Sequence, residues 1–284
     1  MKRNSLIICR GGGDLATGIV HRLHRAGFRV LVLETDHPAA IRRQVSFCEA
    51  VYEGKATVEG VTAQRIDSVS EMEEVFAGGC VPLFVDSKGA SIAELHPDVV
   101  VDAIIAKKNL GTYKEMAPLV IGIGPGFVAG KDVHLVVESM RGHNLARILE
   151  EGSALPNTGI PGAIAGVAKE RVIHAECAGI LYGEKKISDY VQKDEVIAFI
   201  YPDTQGKDAS GQEKKDGAFA VRATISGILR GLIRDGYPVT KGFKIADIDP
   251  RESEYENCFT ISDKARCIAG GVLEALLHAG ILPE

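Results

Sequence analysis

Three groups of residues in this 284-residue chain have types and spacings that can do chemistry. The first is Gly11-Gly12-Gly13-Asp14-Leu15-Ala16, which fits the pattern Gly-x-Gly-x-x-Gly/Ala with Ala16 in the last place. It follows the apolar run Leu6 to Cys9 and opens a stretch where Ala16, Ile19, Val20 and Leu23 recur at helical spacing. Glycines in such a turn let the backbone approach a pyrophosphate, while the helix N-terminus behind them offers unpaired N–H groups and a favourable dipole. A second run, Arg29 to Glu34, ends in an acid where a carboxylate can accept hydrogen bonds from a ribose diol. Gly11, Gly12, Gly13, Ala16 and Glu34 are therefore candidate cofactor-binding residues, with Asp14 read as a helix cap. Gly124 and Gly126, in Gly122-Ile123-Gly124-Pro125-Gly126, join them as positions of close backbone approach. Arg42 and Arg43 are placed to reach a 2′-phosphate, whereas Glu34 argues for a bare ribose. NAD, NADP and other adenine nucleotides all stay open, as does a tight turn that binds nothing.

The second group is Glu138, Arg141 and His143: an acid, a fixed cation and a group that titrates near neutrality, with Gly142 allowing a sharp turn between them. They are candidate catalytic residues that would bind an anion and move a proton. An Arg141–Glu138 pair with a solvent-facing His143 is the structural alternative. The third group is Asp247 and Asp249, which share one side of a strand in Asp-Ile-Asp-Pro-Arg. They are weak metal candidates, and an ion pair with Arg251 or Lys244 is the favoured reading. No other metal site is indicated.

The elements that would position these groups begin as an α/β alternation. Ser70 to Glu73 starts a short helix, and Val81–Val85, Val99–Ile105 and Leu119–Ile121 are apolar runs without alternation. Such runs point to strands buried on both faces of a parallel sheet. Further on, the chain repeats itself at an offset of 48: 175–181 aligns with 223–229, and Val191, Lys193 and Ile197 meet Val239, Lys241 and Ile245. Each copy reads as strand, bend and strand, similar to half of a biotinyl or lipoyl carrier. The polar linker 201–218 has Lys207, Lys214 and Lys215 but no methionine, so no covalent lipoyl or biotin group is expected. It reads instead as a mobile loop. After Ser262, one amphipathic helix runs to Gly280.

The expected fold is thus an α/β Rossmann-like parallel sheet unit plus a small internally duplicated all-β, barrel-sandwich-hybrid-like module. Its expected parts are a nucleotide-binding unit over 1–130 and a connector over 131–170. A duplicated module follows over 171–250, with halves 175–200 and 223–248, and a C-terminal helix over 251–284.

Composition narrows the partners. Apolar residues at 45% and charged residues at 25% exclude disordered and fibrous classes. A net charge of −5 offers no basic field to nucleic-acid phosphates, and no apolar run reaches the ~20 residues of a spanning helix. Neither nucleic acid nor membrane is therefore expected as a partner. Leu6–Cys9 is too short for the apolar segment of a signal peptide. Six scattered cysteines without a Cys-x-x-Cys pair read as reduced thiols. A cytoplasmic location is the expectation.

Six motifs then occur in a fixed order: Arg10 to Gly18; Glu34 with Ile41-Arg42-Arg43; Gly122 to Phe127; Arg141-Gly142-His143; Asn157-Thr158-Gly159-Ile160-Pro161-Gly162; and Asp247 to Arg251. Together they resemble the YqeB-type accessory proteins of selenium-dependent molybdenum hydroxylases, over essentially the whole chain. The first part is also loosely similar to the Rossmann part of xanthine dehydrogenase maturation factors. The resemblance implies a bacterial maturation factor whose partner is an apo molybdenum hydroxylase, and it adds a molybdopterin-type cofactor to NAD(P) as a candidate small anionic ligand. It names a pathway rather than a reaction. Two functions follow: a factor that binds a nucleotide or pterin-type anion and hands selenium or cofactor to the apo-hydroxylase, or an NAD(P)-linked reductase with His143 as acid/base. The lack of a separate substrate-domain signature, a Cys-x-x-Cys pair or a nucleophile elbow favours the first. A homo-oligomer is open in either case.

Overall fold

Apolar strands buried on both faces make the centre of the first unit. The computed structural model describes residues 4–159, 166–202 and 217–283. It divides into two units, one of Met1–Pro38, Val45–Thr158 and Thr260–Glu284, the other of Ala39–Gln44 and Gly159–Phe259. The first unit runs β1 (Leu6–Arg10), α1 (Asp14–Arg25), β2 (Arg29–Glu34), α2 (Ala50–Glu53), β3 (Lys55–Val58), β4 (Val61–Ile66), α3 (Met72–Ala77) and β5 (Val81–Val85). It continues with α4 (Ser91–Leu95), β6 (Val99–Asp102), β7 (Leu119–Ile123), β8 (Leu135–Val137) and β9 (Ile148–Leu149), and the chain's last helix, α5 (Asp263–His278), returns to it. Among the described residues these strands form one nine-stranded sheet in the order β3-β4-β5-β2-β1-β6-β7-β8-β9.

The period of two along β1 separates the layers. Ile7 and Cys9 lie in one core with Ile19, Val20 and Leu23 of α1 and Ile268, Val272 and Leu276 of α5. Ile8, between them, belongs to the opposite core with Met72, Val75, Ile92 and Phe127.

On the first face α1 and α5 lie side by side and parallel. Near their starts, a Cβ built on Gly18 would stand 2.8 Å from the Cβ of Ala265; beyond their ends, one built on Gly27 would stand 3.3 Å from that of Pro283. Ser262 caps α5 by accepting from the Ala265 N–H at 3.2 Å. Both N-termini therefore sit at the edge where the parallel strands end.

The expected fold class is corrected by these sheets. The first unit is a large mixed sheet rather than a Rossmann-like parallel one: β4 to β8 run parallel, but β3 pairs antiparallel with β4, and β9 with β8. Apolar runs report burial, not strand direction, and here the loops decide it. Glu59 and Gly60 both have positive φ (45° and 80°), the backbone of a tight hairpin, which turns β4 back along β3. Between β6 and β7, where an α/β alternation would place a crossover helix, only a single 3-10 turn (Lys114–Met116) forms. The terminal helix α5 covers that part of the face instead.

The second unit holds β10 (Val172–His174), β11 (Gly179–Gly183), β12 (Tyr190–Val191), β13 (Val196–Tyr201), β14 (Phe219–Arg222), β15 (Gly227–Leu232), β16 (Tyr237–Val239) and β17 (Lys244–Asp249). They make two four-stranded antiparallel sheets, β10-β17-β15-β12 and β14-β13-β11-β16. These two sheets correct the expected duplicated, barrel-sandwich-hybrid-like module. β12, from the first sequence copy, pairs with β15 of the second, and β16 of the second pairs with β11 of the first. A repeat in sequence shows that two segments fold alike, not which segments bond to each other. Most of the linker 201–218, including Lys207, Lys214 and Lys215, lies outside the described residues, as do Ile160, Pro161 and Gly162.

The Gly18 contact yields a stability test. Gly18→Val forces extra carbon against the Ala265 side chain and backbone, and is expected to cost about 1–3 kcal/mol or more in urea melts. Gly270→Ala, in the same helix pair but with nothing within 4 Å of the added carbon, should gain about 0.5–1 kcal/mol. Equal midpoints for both variants would show that α1 and α5 do not meet at Gly18.

Candidate functional site

The turn after β1 is held mainly by its own chain. Gly12 donates its N–H to Glu34 Oε2 at 2.7 Å, and Thr35 donates to Glu34 Oε1 at 2.8 Å, so both oxygens of that carboxylate clamp backbone. Burial pushes the Glu34 carboxyl above its ordinary range, against the pull of those two N–H groups. On the other side, Cys48 N–H donates to Gly12 O at 2.8 Å and Phe47 N–H to Thr17 Oγ1 at 2.8 Å. A Cβ on Gly11 would meet Ala103 O at 3.0 Å, and one on Gly12 would meet Cys48 N at 3.0 Å. Gly13 is different: nothing lies within 4 Å of its Cβ direction. Of the three glycines, only Gly13 opens onto space. Ala16 is buried in the α1 core.

Gly124 and Gly126 permit contacts within the chain. A side chain at Gly124 would collide with Ser139 Oγ, and one at Gly126 would lie 2.8 Å from the backbone of Lys108. These two glycines let the loops after β6, β7 and β8 close on one another at the strand-end edge. Beneath them lies a buried polar knot. Arg10, at the end of β1, bonds Thr112 Oγ1 and stands 3.6 Å from Asp102, at the end of β6, and Thr112 in turn donates to Asp102.

The second group divides in the structure. Glu138 is 3% exposed and accepts the N–H groups of Met140 and Leu155, each at 2.7 Å. Arg141 makes a two-pronged pair with Asp263, in the first turn of α5, at 2.6 and 2.9 Å. His143 is exposed.

Sequence reading missed Lys264, which follows Asp263 on α5. It is half-buried, and among the described residues its ammonium has no hydrogen bond or ion pair. Burial pushes its pKa down; Arg141 pushes the same way, Asp14 and Glu138 oppose, and Lys107 adds to the lowering. The side chains of α1, α5 and the loops after β6 and β8 thus converge on this lysine. Ile105 and Lys107 both hold left-handed backbone (φ 60° and 61°), a conformation that costs a β-branched residue about 1–2 kcal/mol. The available signal was its place in Ser262-Asp263-Lys264, directly after a helix cap. A lysine there reads as solvated unless a neighbouring helix is known to cover it.

In the second unit, Asp247 and Asp249 are buried among arginines. Asp247 Oδ2 accepts from Arg171 Nη2 at 3.1 Å and from Arg230 Nε at 2.9 Å. Asp249 receives Arg251 Nε at 3.0 Å and Nη2 at 2.9 Å, with Arg230 3.8 Å away. Burial alone would raise the Asp249 carboxyl, but the Arg251 guanidinium and N–H, with Arg230 behind them, hold it below the ordinary aspartate range. No group of three or more His, Cys, Asp or Glu side chains is arranged for a metal among the described residues. Nor is any described helix long and apolar enough to cross a membrane.

The first unit is thus a mixed-sheet α/β structure whose charged groups gather at the edge where its strands end, around the starts of two parallel helices. In sequence, the chain belongs to the YqeB-type proteins. It is 45% identical to the uncharacterized protein YqeB of Escherichia coli K12 over 281 residues, 98% of this chain and 49% of that protein. The chain therefore spans about half the length of the curated relative it matches. No family model matches it. Among solved structures it is similar to the ectoine utilization protein EutE (DoeB) of Ruegeria pomeroyi, with 11% identity over 87% of this chain and 86% of that one and a TM-score of 0.27. An aspartoacylase family protein of Mesorhizobium loti gives 13% identity over 88% and 86%, with a TM-score of 0.29. Likeness at that level carries neither fold nor activity to this chain.

Two stability measurements follow. Because the folded chain disfavours the charged form of Lys264, its cost is fully present below the lowered folded pKa and fades as pH rises toward the unfolded value. Lys264→Met is therefore expected to raise Tm by about 2 °C at neutral pH, with the gain shrinking in alkaline buffer. An unchanged Tm at neutral pH would mean that Lys264 is fully solvated. For Asp249 the sign is opposite: its stabilisation is present above the ordinary aspartate value and is lost as pH falls through the depressed one. In acid titrations monitored by urea midpoint, Asp249→Asn should be less stable than wild type at neutral pH, and the two should converge in acid. Parallel curves would show that Asp249 titrates normally.

Proposed function

We propose that this chain carries the ligand-binding part of a cytoplasmic accessory protein for the maturation of selenium-dependent molybdenum hydroxylases, and that its ligand is an anion of nucleotide or pterin type. The ordered motifs shared with that family support the pathway. One observation carries the site: α1 and α5 begin side by side, with Gly13 open to space at the first and Lys264 standing at the second. The first helical bond of α1 runs from Thr17 N–H to Gly13 O at 2.8 Å, so the N–H groups of Leu15 and Ala16 have no carbonyl within the helix. Two parallel helix dipoles starting together repel each other unless negative charge sits between them. Asp14 and Asp263 supply some of that charge, and a phosphate-bearing ligand would supply more.

In this reading the backbone of Gly13 admits a phosphoryl group, Lys264 and Lys107 balance its charge, and Arg141 exchanges part of its hold on Asp263 for the ligand. Nucleotides and molybdopterin both carry such groups. The apo-hydroxylase is the partner that receives what the site holds.

The backbone at Gly13 is extended (φ −70°, ψ −177°), so a β-branched residue fits it without strain. Gly13→Val should therefore fold normally while filling the opening. By calorimetry with NAD, NADPH, AMP and pyrophosphate, the variant is expected to bind at least tenfold more weakly, about 1.4 kcal/mol. Cells carrying it should lose hydroxylase activity with the protein still soluble. Equal affinities in wild type and Gly13→Val would overturn the site, and full hydroxylase activity in cells lacking the protein would overturn the pathway.

A further inference from the structure

β9 ends the order of the large sheet, and its backbone is set to continue it. Val137 stands opposite Ile148, and on the next pair Glu138 N–H donates to Arg147 O at 2.9 Å. Bonded and unbonded pairs alternate along an antiparallel ladder, so Ile148 turns its N–H and C=O away from β8. Sheets commonly blunt such an edge with lysine, proline or a bulge. The strand at the other end, β3, begins on exposed Lys55 and has Thr57 exposed, whereas β9 is Ile148-Leu149.

Beside that edge lies a groove of about 660 Å³ between β9 and α5. Leu145 and Ile148 line one wall, Cys267 and Glu274 the other, and Gly270 and Gly271 leave it open toward the helix backbone. Glycine within a helix costs stability, so each of the two needs a reason. Gly271 has one inside the chain, since a side chain there would strike Ala146 O. Gly270 has none among the described residues: nothing lies within 4 Å of its Cβ direction. Ile148 packs on the α5 side of the sheet and Leu149 on the other. A residue paired with Ile148 would therefore point its side chain into the same groove.

We infer that this edge and groove are the interface for a second copy of the chain, β9 pairing antiparallel with β9 about a two-fold axis at Ile148. Ile148 of each copy bonds the other through its free N–H and C=O, and its side chain enters the groove beside the other's Gly270. Charge selects this occupant. β9 follows exposed Arg147 and precedes exposed Glu150 and Glu151. Antiparallel pairing sets the cationic end of one strand against the acidic end of the other, and symmetry does so twice. A parallel arrangement would set like charges together.

Sedimentation velocity of the full chain over a range of concentrations should show a reversible dimer. Arg147→Glu, and separately Glu150→Lys with Glu151→Lys, should each weaken it by about tenfold or more, because the charges at the edge then share one sign. Mixed in equal amounts, these two variants should recover a dimer holding one copy of each, an outcome that loss of folding cannot produce. Gly270→Leu should weaken association with its circular dichroism spectrum unchanged. A wild type that stays monomeric at every concentration overturns the inference. A dimer indifferent to the charge changes or to Gly270→Leu overturns it equally, because its interface then lies elsewhere.

Discussion

The contact between Gly18 of α1 and Ala265 of α5 is the constraint on which the first unit rests. Only a residue without a side chain at position 18 lets the two helices come this close. Their closeness has two consequences. It brings the last helix of the chain into the same core as the first strand and helix, joining residues more than two hundred positions apart. It also forces two helix N-termini together at the strand-end edge, where their dipoles add rather than cancel. The first-turn acids Asp14 and Asp263 and the Ser262 cap answer that strain in part. The shared core and its electrostatic cost thus arise from the same contact.

The second unit shows how a repeated backbone takes two different chemistries. At the offset of 48, Arg230, Asp247 and Asp249 fall on Tyr182, Phe199 and Tyr201. One sheet fills these positions with a buried ionic cluster and the other with aromatic rings, Tyr182 and Tyr201 lying 5.6 Å apart edge to face. The glycines at 179 and 227 are retained in both copies because each leaves room for a backbone oxygen, Tyr201 O in one and Asp249 O in the other. Fold therefore explains the equal positions. The unequal ones reflect what covers each sheet: 3-10 backbone over Glu252–Cys258 follows β17, and the segment at Ile41 lies against Gly231 beside the ionic cluster. A buried ion cluster of this kind is weak support for stability, because desolvation offsets much of its attraction, but removing one partner from it is costly.

Legibility in the sequence followed the range of the forces involved. The β1–turn–α1–β2 segment could be read because its signals are local: an apolar run, glycines, and a helical period. The hairpin at Glu59-Gly60 was missed because Glu is a poor residue for positive φ. It holds that backbone through a distant anchor, with Glu59 accepting from Ile261 N–H at 2.8 Å and from Arg266. Arg141, Glu138 and Glu34 could be picked out by type, yet their partners, Asp263, Leu155 and Gly12, are set by tertiary contacts. The glycines at 11, 12, 124 and 126 announced close approach correctly in kind, but the object approached is this chain's own backbone or, at Gly124, its Ser139 side chain. Only Gly13 keeps its opening.

Lys264 shows why an exposed-looking residue can be the informative one. A surface lysine in the first turn of a capped helix would be solvated, paired with the acid beside it, and without consequence. Here the acid is taken by Arg141, the next helix lies too close to allow full hydration, and the loop carrying Lys107 is held in a left-handed backbone that brings a second cation near. The partly desolvated ammonium and the left-handed backbone each cost stability, and each would be relieved by a single change: Lys264 to an apolar residue, or Ile105 relaxed. A partly desolvated ammonium, a left-handed loop and two adjoining helix starts thus meet on one edge of the sheet.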